Sequence, residues 1–261
     1  MIDIYQKENV ICVEGTIENF GRKVFVYLVD GMLVDTGPEN LGQELIPFYK
    51  QHELDQVVLT HNHEDHTGMA AWIQENLKAP IYGHPKGLAL CEKPGDYPPY
   101  RQQTWGGRKA FIPLPLHETI QSRNGEWKVI HTPGHAEDHV SFLNEETGQL
   151  FTGDLFVSPK TKVIMDSESI PLIMNSIRQL LQSDFKSMFC AHSGYFENGK
   201  DMLAKKMANL EKLSSKVHAL NDSGLSIREI NETIFPTSYP IIEFSKGEWD
   251  SKHIVTSILN G

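Results

Sequence analysis

The chain of 261 residues carries a formal net charge of −10, and 39% of its residues are hydrophobic. This length and composition are typical of a folded protein with a main domain and a small appendage, and no apolar run approaches the roughly 18 residues that a membrane span requires. The negative charge disfavours binding to a nucleic-acid backbone, although a local basic cleft would still permit it.

The N-terminus and the cysteines favour a cytoplasmic protein. Residues 1–10, MIDIYQKENV, lack the basic and apolar regions of a signal peptide. The three cysteines are widely spaced and odd in number, which argues against a disulfide framework and against a CxxC metal site. We therefore expect reduced thiols and no export.

The first third of the chain combines strands with helices. Strands are predicted at residues 10–15, 24–30, 32–37, 56–60 and 80–84, with Gly31 at a hairpin-like turn. Helices are predicted at residues 38–52 and 68–78. This alternation indicates α/β layers, in which strand ends should lie along one edge.

The middle of the chain returns to β structure before it ends in helices. Strands are predicted at residues 126–131, 139–143, 149–152 and 187–191, and helices at 171–182 and about 198–220. The segment 91–112 has no clear period and is rich in basic and aromatic residues. It is either a lid over a site, suited to an anionic or acyl substrate, or a solvated surface loop.

The last 41 residues, 221–261, are predicted to form short helices joined by turns, unlike the rest of the chain. Ser226 and Glu229 fit a capping box that opens a helix, and a last short helix is predicted near residues 250–259. This order of helix, turn and helix would fit a winged-helix-like element that binds nucleic acid. Basic residues are few in this segment, however, so a role in packing against the main domain or in forming a homodimer is favoured. We therefore divide the chain into a main domain, residues 1–220, and a small helical appendage, residues 221–261.

A short run after the strand at 56–60 concentrates potential metal ligands. Residues 60–69 read THNHEDHTGM and contain His61, His63, Asp65 and His66. Imidazoles at this spacing repel one another when charged, and a solvated loop gains nothing from them. Because neutral imidazole and ionised carboxylate are ligands that zinc selects, the run indicates a metal site at a strand end.

Three more candidate ligands follow predicted strands into loops that contain glycine. They are His135 in HTPGHAEDH, Asp154 in FTGD and His192 in CAHSG. A site assembled at strand ends recruits side chains from other strand ends, so we expect these three residues to join the cluster.

The order of these motifs resembles that of the metallo-β-lactamase-fold hydrolase superfamily, over roughly residues 10–195. The resemblance implies an α+β fold, an αββα sandwich, with two divalent metal ions per chain, zinc being favoured and manganese or iron also suitable. It also implies ligand sets for the two ions. One set is His61, His63 and His135, the other is Asp65, His66 and His192, and Asp154 bridges the two ions.

The implied function is hydrolysis of an ester, thioester, lactone or phosphodiester bond in a small-molecule substrate by a metal-bridging hydroxide. Asp65 is the expected catalytic residue, through an oxygen that orients the hydroxide or relays a proton. Val157 stands where related lactonases have tyrosine, which disfavours a lactone. Two alternatives remain open: an endoribonuclease-type phosphodiesterase, and a mononuclear iron dioxygenase of the persulfide type that uses only the first ligand set.

Several other residues of these motifs have plainer interpretations. Asp35, in LVDTG, matches the superfamily's first motif and is expected to hold a ligand in its binding orientation. His139 is interpreted as a buried, hydrogen-bonded histidine, and His84 and His117 as structural or exposed. Cys190 is expected to be a buried strand residue and not a nucleophile.

Overall fold

Within residues 1–17 and 21–261, which this computed structural model describes, two β-sheets pack face to face between helices. Neighbouring strands of the first sheet follow chain order. They are β1 Ile2–Lys7, β2 Val10–Ile17, β3 Arg22–Val29, β4 Met32–Val34, β5 Gln56–Val58, β6 Ile81–Gly83 and β7 Leu114–Pro115. Strands β1 to β4 pair antiparallel and β4 to β7 pair parallel.

The second sheet has the order β14-β13-β11-β10-β9-β8, and a short pair joins β12 to β15. Its strands are β8 Thr119–Ser122, β9 Gly125–His131, β10 Val140–Asn144, β11 Gln149–Gly153, β13 Ser187–Cys190 and β14 Gly194–Phe196. The short pair is β12 Ile164–Met165 and β15 Trp249–Asp250. Because β11 and β13 are parallel, the residues that follow them emerge at the same edge of the sheet.

Helices pack on both sheets. They are α1 Gly42–Gln51, α2 Glu64–Thr67, α3 Ala70–Asn76, α4 Leu88–Cys91, α5 Pro99–Trp105, α6 Ile170–Leu181, α7 Gly199–Asp222, α8 Ile227–Ile234, α9 Pro240–Phe244 and α10 Ser251–Asn260. Two of them, α2 and α5, lie at the edge where the strands end. In α6, Ile170, Ile173, Ile177 and Leu180 are buried at helical spacing, so one stripe of the helix packs against the sheet.

Three apolar cores separate the four layers. One core lies between the first sheet and α1 and α3, and another lies between the second sheet and α6, α7 and α10. Between the sheets, Trp127, Phe142 and Phe151 are buried, and each full burial stabilises the fold by about 1.5–3 kcal/mol. The predicted α+β class and αββα sandwich are therefore confirmed.

Two predictions of local structure were wrong. The strand predicted at 32–37 ends at Val34, because Asp35 has a positive φ of 60° that breaks the extended backbone. The segment 91–112 is not without regular structure, since α5 begins at Pro99, where a proline at the first helical position suits its fixed φ.

The tail packs on α6 and α7, the helices that cover the second sheet. The capping box of Ser226 and Glu229 is confirmed at the start of α8. Ile230, Ile254 and Ile258 are buried in the same cluster as residues of α6 and α7. The division of the chain after residue 220 stays a proposal. No helix in the described part of the chain combines the length and apolar character that a membrane crossing needs.

Candidate metal centre

The first candidate ligands are positioned by the loop that follows β5. His61 comes three residues after that strand ends, and α2 then carries Asp65 and His66 in its single turn. The backbone N–H of Val140 donates to the Thr60 carbonyl over 2.8 Å, which ties this loop to the first residue of β10 in the second sheet. The strand ends of both sheets therefore meet at one edge.

Two glycines allow the loops from the second sheet to approach this edge. Gly153 has a φ of 48°, and a Cβ there would lie 2.6 Å from His139 Nε2 and 2.9 Å from Thr60 Cβ. Gly134 has a φ of 136°, and a Cβ there would lie 2.5 Å from the backbone nitrogen of Ile173. A side chain at either position would displace the ligand candidate that follows it.

His61, His63 and His135 form one compact group, with ring nitrogens within 4.8 Å of one another. The Nε2 atoms of His61 and His135 each lie 3.0 Å from Nδ1 of His63. Burial, followed by the neighbouring histidines, lowers the pKa of His61 and His63 well below its ordinary value. These two rings are therefore neutral, the state in which an imidazole binds a metal.

Asp65, His66 and His192 form a second group with the same spacing. Asp65 Oδ2 lies 3.2 Å from His192 Nε2 and 3.7 Å from His66 Nε2. Burial alone would lower the pKa of both histidines, but the facing carboxylates outweigh it and raise the pKa well above its ordinary value. The facing carboxylates therefore favour the protonated form of these two rings.

Asp154 lies between the two groups. Its Oδ2 is 3.4 Å from His135 Nε2 and 3.2 Å from His192 Nε2, and its Oδ1 is 3.4 Å from His66 Nε2. Although they are close, Asp154 Oδ1 and His66 Nε2 are both buried without a hydrogen-bond partner. A buried polar atom without a partner is costly, and a cation between these groups would satisfy both atoms. The residues therefore fit divalent metal ions.

Partners on the outer side of each ring hold the histidines in place. Asp35 accepts two hydrogen bonds from Thr60 and lies 2.8 Å from His66 Nδ1, which is the contact expected of it. His192 Nδ1 lies 2.6 Å from the Lys23 carbonyl oxygen, and His135 Nδ1 lies 3.2 Å from Glu168 Oε2. Such contacts fix the ring orientation and leave the other nitrogen facing the centre.

Sequence reasoning missed Glu168 and the Lys23 carbonyl. Glu168 lies in no ligand motif, and its proximity to His135 arises from the turn before α6. A backbone carbonyl has no sequence signal at all. Lys206 was also missed. It is buried on α7, donates to the Phe156 carbonyl oxygen, and burial lowers its pKa to about 8.

His139 is buried, as predicted, and it also supports the site. The backbone N–H of Asp154 donates to His139 Nε2 over 3.0 Å, so this nitrogen must be the unprotonated one. Nδ1 then donates to Thr132 Oγ1 over 2.9 Å. Burial lowers the pKa of His139 to about 3, which keeps the ring neutral and this arrangement intact.

The remaining candidates lie outside the two ligand groups. Cys190 is fully buried in the core beside α6 and α7, and burial raises the pKa of its thiol, as expected of a strand residue that is not a nucleophile. His84 stacks on His131 with ring centroids 4.4 Å apart. His84, His117 and His131 line a separate cavity beside β8 and β9.

A cavity of about 530 Å³ opens onto both ligand groups. Helix α5 forms part of its wall through Tyr100 and Trp105, so the segment 91–112 does cover the site. Its two arginines, however, are bound to other groups of the protein, although Arg101 also lines the cavity. Arg101 binds Glu64 through two contacts of 2.6 Å, and Arg108 donates to three backbone carbonyls. The lid is therefore aromatic towards the cavity, and these arginines are occupied by internal contacts.

Comparison with known proteins agrees with this geometry. The pattern that defines the Metallo-beta-lactamase superfamily matches residues 20–192, more than half of the chain. The chain belongs to the Metallo-beta-lactamase superfamily. Its enzyme class is that of a metal-dependent hydrolase, and the superfamily implies divalent metal ions.

Individual relatives of this superfamily are distant. The chain is 22% identical over 278 residues to the probable metallo-hydrolase YqjP of Bacillus subtilis (strain 168), covering 89% of this chain and 86% of the relative. It is 26% identical over 219 residues to a hydroxyacylglutathione hydrolase of Shewanella baltica (strain OS195), covering 79% and 71%. The chain spans little more than half the length of two further curated relatives, 59% and 56%.

Solved structures share the fold. A crystal structure of a metallo-beta-lactamase family protein from Thermus thermophilus superposes with a TM-score of 0.69 and 20% identity. The superposition covers 96% of this chain and 91% of that chain, so the tail helices lie within the matched region. At this identity the likeness concerns the fold alone.

Proposed function

We propose that the protein is a dinuclear hydrolase that cleaves a thioester or ester bond in a small-molecule substrate. The observation that carries this proposal is the convergence of two groups of three side chains on the carboxylate of Asp154. One ion would be held by His61, His63 and His135, and the other by Asp65, His66 and His192. Zinc is favoured over manganese or iron because imidazole nitrogens predominate among the ligands.

Two divalent ions bound here would acidify a water molecule and polarise the bond to be cleaved. The chain itself orients the ligands and handles the proton. Asp65 is the proposed catalytic residue, since its side chain lines the cavity and its Oδ2 faces His192. Its other oxygen would orient the attacking water and pass a proton to the leaving group.

The choice of a thioester or ester rests on the surroundings of the site. Aromatic and aliphatic side chains form much of the cavity wall, which suits an acyl group. The relative from Shewanella baltica is a hydrolase of hydroxyacylglutathione, in which an acyl carbon is bonded to a thiol sulfur. The net charge of −10 opposes a polynucleotide substrate, and Val157 offers no hydroxyl to a lactone. A complete second ligand group argues against a mononuclear dioxygenase.

Metal analysis and a substrate panel test this proposal. Protein purified without chelator should contain about two transition-metal ions per chain and should cleave thioesters or esters in preference to lactones and phosphodiesters. His66→Ala and His192→Ala should each lose one ion, keep their circular-dichroism spectrum and lose most activity. His218→Ala, on the exposed surface of α7, is the control. One iron per chain, or full activity in either ligand variant, would refute the dinuclear assignment.

A further inference from the structure

We infer that the cavity selects a two-part substrate: an apolar acyl group bound by the aromatic wall, joined through sulfur to a thiol half that carries phosphate or carboxylate groups. This inference rests on the proposed function and names the substrate class of the same site. Two separate features of the cavity support it, one apolar and one cationic.

The apolar feature is a wall formed where α5 meets the C-terminal segment. Tyr100 and Phe244 pack edge to face with ring centroids 5.5 Å apart, and Trp249 and Ile241 line the same cavity. Trp105 also lines it, with its ring centroid 5.9 Å from that of His192. The wall therefore reaches the second ligand group, and an acyl chain lying along it would place its carbonyl carbon near the candidate metal centre.

The cationic feature is a rim formed by Arg22, Lys160 and Lys162, which are exposed side chains lining the cavity. In the described part of the chain, no ion pair within 4.0 Å joins any of the three to a carboxylate, and Lys162 instead lies over the ring of Tyr239. The other cations that line the cavity are already bound: Lys23 to Glu14, Arg101 to Glu64, and Lys206 to a backbone carbonyl.

The acidic residues that line the cavity do not neutralise the positive charge of this rim. They are Asp65, Asp154 and Glu168, and all three face histidines of the candidate metal centre. The rim also flanks His192, because its Nδ1 contacts the Lys23 carbonyl oxygen next to Arg22, and Ser193 donates to the Val157 carbonyl oxygen ahead of Lys160. Among its described residues, a protein with a net charge of −10 thus presents three cations without an ion-pair partner at the mouth of its site, where an anionic group would be held.

A set of thioesters that share one acyl group separates the contributions of the two halves. Octanoyl coenzyme A, octanoyl glutathione and octanoyl N-acetylcysteamine carry phosphate, carboxylate and no charge, respectively. We expect kcat/KM of the metal-loaded protein to fall in that order. The advantage of the charged thioesters should shrink as salt is added, because the rim is exposed to solvent.

Binding of S-octyl coenzyme A, a thioether that cannot be hydrolysed, provides a readout that does not depend on turnover. The triple variant Arg22→Gln, Lys160→Gln, Lys162→Gln should bind it about tenfold more weakly by titration calorimetry. The matched control Lys205→Gln, Lys212→Gln, Lys216→Gln changes the net charge equally on the exposed surface of α7 and should bind as the wild type does. Phe244→Ala should reduce the preference for octanoyl over acetyl coenzyme A, whereas Phe235→Ala, half-buried outside the cavity, should not.

The outcomes distinguish this inference from the proposed function. Equal cleavage of the three thioesters, with unchanged binding by the rim variant, would overturn the inference and leave the hydrolase intact. Charge-dependent binding without cleavage of any thioester would overturn the proposed reaction and keep the ligand class. Absence of both binding and cleavage would overturn both.

Discussion

Replacing Arg101 by methionine tests whether the lid helix holds the ligand loop through a buried ion pair. The Glu64 side chain lies between His63 and Asp65 in sequence and is 0% exposed, and both its oxygens accept from Arg101 over 2.6 Å. Arg101 is 12% exposed and has a second carboxylate, Glu248 of the C-terminal segment, at 3.3 Å. One guanidinium thus joins the ligand loop, α5 and the tail.

The cost of this change follows from the burial of Glu64. Removing the arginine leaves a carboxylate without its partner in the interior, which costs about 3–5 kcal/mol. Glu64→Gln should cost less, because Arg101 keeps Glu248 and is closer to solvent. The double variant Glu64→Gln, Arg101→Met should be more stable than Arg101→Met alone, since the uncompensated charge is gone.

Urea denaturation, after a chelator has removed any bound metal, measures the free energy of unfolding of each variant. Arg123→Met is the matched control, because Arg123 also pairs with two carboxylates but is 43% exposed, so water screens its ion pairs and its loss should destabilise the protein much less than Arg101→Met. Equal costs for Arg101→Met and Arg123→Met, or a double variant no more stable than Arg101→Met, would refute the reasoning.

The pH dependence of the Arg101→Met defect has a definite sign. Burial, and then the neighbouring Asp65, already raise the pKa of Glu64, and loss of Arg101 raises it further. An acid whose folded pKa is raised binds more protons folded than unfolded, so stability falls as pH rises from the unfolded pKa to the folded pKa. The difference between variant and wild type should therefore be larger at pH 8 than at pH 5.

Two further predictions concern the candidate ligands. Asp154→Asn keeps the shape of the side chain but removes its charge, so at least one ion should bind more weakly and the pH of half-maximal activity should rise; unchanged metal content and pH profile would remove Asp154 from the site. On acidification, the ion of the Asp65, His66 and His192 group should leave first, because protons compete most strongly where the pKa of the histidines is raised. Metal content after dialysis at decreasing pH measures this order, and earlier loss from the His61, His63 and His135 group would contradict it.

The convergence of the candidate ligands could be predicted because each one follows a strand in a short motif. His61, Asp154 and His192 lie just beyond β5, β11 and β13, and strands of two packed sheets bring such positions to one edge. Their roles as ligands remain a proposal. The resemblance to a known superfamily added the grouping into two sets, which spacing alone left open.

The contacts that support the site could not be predicted because they join residues far apart in the chain. Arg101 and Glu64 are separated by 37 residues, and His192 and the Lys23 carbonyl by 169. The basic composition of the segment 91–112 favours a cationic lid, yet its arginines are held by internal contacts. The exposed cations that line the cavity, Arg22, Lys160 and Lys162, lie in other parts of the chain. Composition gives the charge of a segment, whereas tertiary contacts decide which charges face the substrate.

The distribution of charge explains why the histidines fall into two classes. Four carboxylates face the rings of the centre: Asp35, Asp65, Asp154 and Glu168. Two dications would carry an equal and opposite charge, so the loaded centre would be close to neutral. The same carboxylates raise the pKa of His66, His192 and His135, the rings that contact them.

His61 and His63 face mainly other histidines, and their pKa is lowered. Two rings of the first ligand group therefore favour the neutral form that binds a metal, whereas the raised pKa of His135 and of both histidines in the second group favours their protonated form. A loaded, neutral centre would also give an anionic substrate little attraction of its own. The cations Arg22, Lys160 and Lys162 at the rim would then be the groups that hold the charged half of the substrate.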